Sequence, residues 1–221
     1  MPQERKKRAR AMLKELRRLF PGVQKTSLQF HAPFELLVAV ILSAQCTDKK
    51  VNEVTARLFK KYRTLDDYAS ASAEAFGRDI RETGYFRSKA NYVIGSARML
   101  KKRFHSRIPK TMEEILMLPG VGRKTANVVL GNLYGAREGV AVDTHVKRFA
   151  AKFDLSYAKT PAAIEQDLMA VLLRKDWTDW TNYLIEYGRT ICPARKHSCE
   201  AHPLTLLYPE AAARWPKTRF G

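Results

Sequence analysis

The sequence has no long apolar run. The longest, Leu36 to Leu42, falls far short of the roughly 20 residues that a membrane-spanning helix requires. The N-terminal RKKRAR stretch lacks the apolar core and small-residue cleavage site of a secretory signal. Cysteine is scarce: three among 221 residues, an odd count that fits a reducing compartment better than a disulfide framework. A cytoplasmic protein is expected, nucleoid-associated if prokaryotic, with no membrane attachment. Acidic groups are short as well, 22 Asp and Glu against 40 Lys and Arg, for a formal charge of +18. So large an excess points to a polyanionic partner, nucleic acid first. An anionic membrane surface is the rival, but it calls for a basic amphipathic helix or an apolar anchor.

Strand-like alternation is also missing, as are internal repeats and Gly/Ser linkers. What is present is helical periodicity over a chain that is 45% apolar, enough for a substantial core. Met12, Leu13, Leu16, Leu19 and Phe20 form one stripe, stopped by Pro21-Gly22. FELLVAVILS is apolar all round, the pattern of a helix with protein on every side. Thr47 is placed to cap a third helix bearing Val51, Val54, Leu58 and Phe59, and a later helix carries Val93, Ile94, Ala97 and Leu100. Thr111 and Glu114 have capping-box spacing, Thr160-Pro161 marks another start, and Gly188 marks an end. The fold class is all-α. Trp177, Trp180 and Tyr183, at helical spacing, read as core rather than as a base-stacking platform.

The helix that starts at Thr111 is expected to end at Leu118, and the next to begin between Gly122 and Lys124, with LPGVG between them. Two glycines one residue apart permit close backbone approach and leave amides unpaired at a helix N-terminus. Such amides, backed by the helix dipole, suit a phosphate. A tight helical hairpin needs the same turn for its own sake, so both readings stand. Nineteen residues after Lys124 comes Asp143 in VAVDTHVKRF, which is either a simple N-cap or half of a reacting pair. A lysine becomes nucleophilic when desolvated or set beside cations such as Arg123, and a carboxylate can take its proton or stabilise positive charge on a sugar. The pair suits imine chemistry on a sugar carbon of DNA.

Five ordered motifs, SAQCTDKKVN, GYFRSKA, LPGVGRKTANVVL, AVDTH and YGRTICPARKHSC, resemble the endonuclease III branch of the helix-hairpin-helix DNA glycosylases over nearly the whole chain. The resemblance implies two helical domains with a DNA cleft between them. One is a six-helix barrel over 26–136 with the hairpin at about 111–135; the other joins 1–25 to 137–221. It implies a base-excision-repair glycosylase and abasic-site lyase acting on damaged, chiefly oxidised, pyrimidines in duplex DNA, and working as a monomer. By the same resemblance Lys124 attacks C1′, Asp143 assists, and the backbone of Leu118, Gly120, Val121 and Gly122, with Arg123, holds DNA. Gln45 fills the gap left by the flipped nucleotide. Tyr85 stands where the family has a second wedge, often leucine. His145 either meets phosphate or lies on a helix surface. A glycosylase without lyase activity and a non-catalytic DNA-binding module are the alternatives, and neither needs Lys124.

The C-terminal region departs from the family. Many members hold a [4Fe–4S] cluster on C-x6-C-x2-C-x5-C, because a cubane takes four ligands, usually thiolates. Here the four positions are Cys192, Cys199, His202 and Tyr208, so no cluster is expected. Packing of Pro193, Pro203, Leu204, Leu206, Leu207 and Tyr208 is expected to hold the 192–208 loop instead. A zinc ion on Cys192, Cys199 and His202, with His197 nearby, is the sharper alternative. The RKKRAR run is expected to be a solvated or DNA-contacting face.

Overall fold

A computed structural model describes residues 2–23 and 26–214. Among them, regular structure is entirely helical: α1 (Pro2–Leu19), α2 (Pro33–Leu42), α3 (Asp48–Lys61), α4 (Leu65–Ser70), α5 (Ala73–Asp79), α6 (Phe86–Arg103), α7 (Met112–Ile115), α8 (Arg123–Tyr134), α9 (Thr144–Lys152), α10 (Pro161–Val171), α11 (Trp177–Thr190) and α12 (Pro203–Leu207), with three short 3-10 turns. Among the described residues, no helix is long and apolar enough to cross a membrane.

Local chemistry sets most of the helix starts. The hydroxyls of Thr47, Thr64, Ser72, Thr111 and Thr160 each accept a first-turn backbone N–H, satisfying donors the helix cannot satisfy itself. At Thr111 the capping box is incomplete. Glu114 accepts from the Thr111 hydroxyl at 2.9 Å. Pro119 disfavours helical geometry for Leu118 before it, and α7 stops at Ile115 instead of reaching Leu118. Gly188 is a second correction: α11 runs through it to Thr190.

The chain forms two compact units, residues 26–136 and residues 1–25 with 137–221. In the first, Leu36 through Leu42 of α2 are all buried, as an all-round apolar helix demands. Val51, Val54 and Leu58, with Val93, Ile94, Ala97 and Leu100, complete that core with the buried Leu118, Val121 and Leu130. In the second, α1 packs on α10, α11 and α12, and α9 packs on α10 and α11. Met12, Leu13 and Leu16 meet Phe149, Phe153, Trp180 and Tyr187 there, with Leu19, Phe20 and Trp177 at the margin. Trp180 is wholly buried and Tyr183 nearly so, so these aromatics are core.

Candidate active site

The hairpin between α7 and α8 is anchored from below by side chains and braced from the side by α6. Leu118 and Val121 are buried. Their amides also close the turn, Leu118 N–H donating to Ile115 and Val121 N–H to Leu118, both at 3.1 Å. These two residues therefore build the hairpin and face inward. Ser96 of α6 donates to the Pro119 carbonyl at 3.0 Å. Gly120 has φ +75°, and a Cβ there would lie 2.4 Å from the Tyr92 ring. Its glycine serves the turn and the Tyr92 contact.

Gly122 is different. A Cβ there would meet nothing, and as N-cap of α8 it supplies no side-chain acceptor to the first-turn amides. Gly122 therefore leaves open space before the first turn of α8. Arg123 and Lys124 follow it, exposed, at the first two positions of α8, where the positive end of the helix dipole adds to their charge. Since Lys124 is exposed, the desolvation expected to activate it is not supplied by the hairpin.

Three loops of the same unit present non-glycine residues at positive φ: those at Gln45 and Tyr85, and the turn at His105 and Ser106 after α6. Gln45, exposed between α2 and α3, has φ 53°. Tyr85, 66% exposed and N-cap of α6, has φ 47° and ψ 28°. Left-handed backbone costs a residue with a side chain about 1–2 kcal/mol, and such outliers cluster at ligand-contacting sites. Lys89, within the GYFRSKA stretch, joins the bases of the Gln45 and Tyr85 loops. Its amine, on the buried face of α6, donates to the Leu42 carbonyl at 2.8 Å and the Thr83 carbonyl at 2.7 Å. Burial lowers its pKa, partly offset by Cys46 nearby. A lysine among Ala90, Val93, Ile94 and Ala97, on what is otherwise an apolar face, was the available signal.

Asp143 lies in the other unit. It caps α9, its Oδ1 accepting from Val146 N–H at 2.8 Å, so the N-cap reading of this residue is realised. His145 is half-buried and packs on α11: a Cβ at Gly188 would fall 2.2 Å from its Nδ1. Gly188 is thus a packing notch for His145 within a continuous helix.

The 192–208 loop belongs to this unit too. Arg148 donates to the Cys192 carbonyl at 2.7 Å and the Pro193 carbonyl at 3.4 Å, and the Lys152 amine lies 3.1 Å from Cys199 Sγ. Tyr208, at the family's fourth ligand position, donates to Asp154 at 2.6 Å beneath the Arg8 guanidinium, 3.7 Å from its ring. A buried ammonium on one thiol and a phenol tied to a carboxylate do not fit a four-ligand iron–sulfur cluster. Leu204 is buried, but Leu206 and Leu207 are 66% and 47% exposed. The five-residue α12 turns only one face inward, so polar bonds replace part of the expected apolar packing.

Residues 38–173 match the model of the HhH-GPD superfamily of base excision DNA repair proteins. The chain is 44% identical to endonuclease III of Synechocystis sp. over 209 residues, 95% of each chain, and 38% identical to that of Bacillus subtilis over 197 residues, 89% of each. The solved structure of a trapped endonuclease III–DNA covalent intermediate superposes with a TM-score of 0.88 at 38% identity, over 96% of this chain and 99% of that one. The chain belongs to the endonuclease III family within the HhH-GPD superfamily.

Proposed function

We propose that this protein is a DNA glycosylase and abasic-site lyase of base excision repair, with Lys124 as nucleophile, acting on damaged, chiefly oxidised, pyrimidines in duplex DNA. A base inside the duplex shields its sugar carbon, so the nucleotide is first rotated out, at a cost of a few kcal/mol that is least for damaged or poorly paired bases. Gln45 and Tyr85 fill the space it leaves. The amides at Gly122 and the cations Arg123 and Lys124 take the adjoining phosphate. DNA, once bound, excludes water from the exposed Lys124 and supplies the desolvation that the free hairpin lacks.

Asp143 accepts the lysine proton, and the freed amine attacks C1′ as the base leaves. The C1′–N bond to lysine becomes a Schiff base as the sugar ring opens. Loss of a C2′ proton then expels the 3′ phosphate by β-elimination. Holding amine and carbon in line makes the attack effectively unimolecular.

The observation that carries this reading is Lys124, exposed at the second position of α8, two residues after Gly122, an N-cap without a side-chain acceptor and with open space around it. A relative covering 96% of this chain is seen as a trapped covalent intermediate with DNA, the class of species this mechanism passes through. We also propose that the chain holds no iron–sulfur cluster; stoichiometric iron and acid-labile sulfide in the purified protein would overturn that.

The test is a panel of duplexes carrying thymine glycol, dihydrouracil, uracil, 8-oxoguanine opposite adenine or a bare abasic site, scored separately for base release and strand cleavage. Release of the oxidised pyrimidines with concurrent strand cleavage is expected. Base release without cleavage would assign a monofunctional glycosylase, and binding without either would assign a DNA-binding module.

A further inference from the structure

We propose that Cys192, His197 and His202 form a binding site for a transition-metal ion of the zinc class. The thiol of Cys192 and one nitrogen from each imidazole all lie within 4.8 Å of one another. Ligands at the usual bond lengths around tetrahedral zinc stand about 3.3–3.8 Å apart, so modest side-chain rotation closes the triangle.

Three further features point the same way. Arg195 offers its carbonyl to His197 Nδ1 at 2.7 Å. A carbonyl only accepts, so Nδ1 carries the proton and Nε2 carries the lone pair, the arrangement that a backbone carbonyl imposes on a metal-bound histidine. Nδ1 of His202 is buried with no hydrogen-bond partner, and a buried ring nitrogen ordinarily has one. Cys192 Sγ has Arg148 Nη1 3.7 Å away, a donor placed to stabilise the thiolate formed when the thiol proton is released on binding.

Cys199 is left out of this ligand set, because the Lys152 amine already sits 3.1 Å from its sulfur. One thiolate with two imidazoles selects zinc over magnesium or calcium, which prefer oxygen. Three protein ligands leave the fourth position to water. Arg148 and Lys152 add positive charge beside the ion, and the Cys192 thiolate offsets part of it. The site ties the loop after α11 to the start of α12, whose last two residues, Leu206 and Leu207, are largely exposed.

The full-length protein, stripped of metal by chelator under reducing conditions, is titrated with Co2+ and then with Zn2+. One equivalent of Co2+ is expected to give the near-ultraviolet thiolate-to-cobalt band and the intense visible bands of tetrahedral coordination, both abolished by one equivalent of Zn2+. Cys192→Ser and His197→Ala should each weaken Co2+ binding by more than about tenfold, and Cys199→Ser should leave it unchanged. His197 is half-exposed, so its variant is expected to keep the wild-type far-ultraviolet circular dichroism. Absence of a tetrahedral spectrum in the wild type overturns the proposal. So does a spectrum that survives His197→Ala and disappears in Cys199→Ser, or one retained in Cys192→Ser through Cys46.

Discussion

The two hairpin glycines look equivalent in the sequence and do different work. Gly120 needs its left-handed φ of +75° and the absence of a Cβ against Tyr92; Gly122 needs neither for folding. Gly120→Ala should therefore destabilise the fold by about 1–3 kcal/mol, seen as a lowered denaturation midpoint. Gly122→Ala should change stability by less than about 0.5 kcal/mol while weakening binding to abasic DNA. Equal stability losses in the two variants would contradict this division. Asp154 is a second informative residue. Burial alone would raise its pKa, but hydrogen bonds from Tyr208 and Tyr157 and the Arg214 ion pair outweigh burial and hold the carboxyl below its ordinary value. A depressed folded-state pKa contributes stability that is fully present above the unfolded carboxylate value of about 3.9 and is lost as pH falls through the folded one. Asp154→Asn, which tolerates the same left-handed φ of 52°, should lower stability at neutral pH and flatten the fall of stability in acid. An unchanged acid profile would contradict it. Gly188 shows where composition misleads. A glycine near a helix end suggests termination, but here it admits a side chain from another helix, a contact that no local sequence pattern encodes.

Helix starts were legible because their causes are local: Thr47, Thr111 and Thr160 cap the helices that their spacing predicts. The all-round apolar α2 was legible for the same reason, since its burial follows from its own composition. What joins elements was not. Lys89 holds the end of α2 to the turn before α6 through two carbonyls 41 residues apart, Leu42 and Thr83, and sequence separation hides such a bond. Lys89→Met should leave both carbonyls without a donor, costing about 2–4 kcal/mol. It should also slow base release by disturbing the loops that present Gln45 and Tyr85. A variant as stable and as active as the wild type would show that Lys89 does not position these loops. The left-handed geometry of Gln45 and Tyr85 was likewise hidden, because neither is glycine and only the assembled loops impose it.

At the scale of the whole molecule, 40 basic residues against 22 acidic ones predict binding dominated by phosphate. The affinity for duplex DNA should fall by about 0.9 log units per neutralised phosphate for each tenfold rise in salt. A flat response would contradict DNA as the partner. Charge of this size is read directly from composition, and the all-helical class from the periodicity of the apolar residues. The reacting pair is less directly legible. Lys124 and Asp143 fall in different units, each with a local structural setting of its own, and their joint role rests on the proposed chemistry.

That chemistry is tested most directly by borohydride reduction of the protein mixed with duplex DNA containing one abasic site, followed by peptide mapping of the cross-link. The expected result is a stable covalent complex in which DNA is attached to the Nζ of Lys124, absent in Lys124→Ala and strongly reduced in Asp143→Asn. Failure of the wild type to cross-link, attachment at another residue, or equal trapping by Lys124→Ala would contradict the assignment.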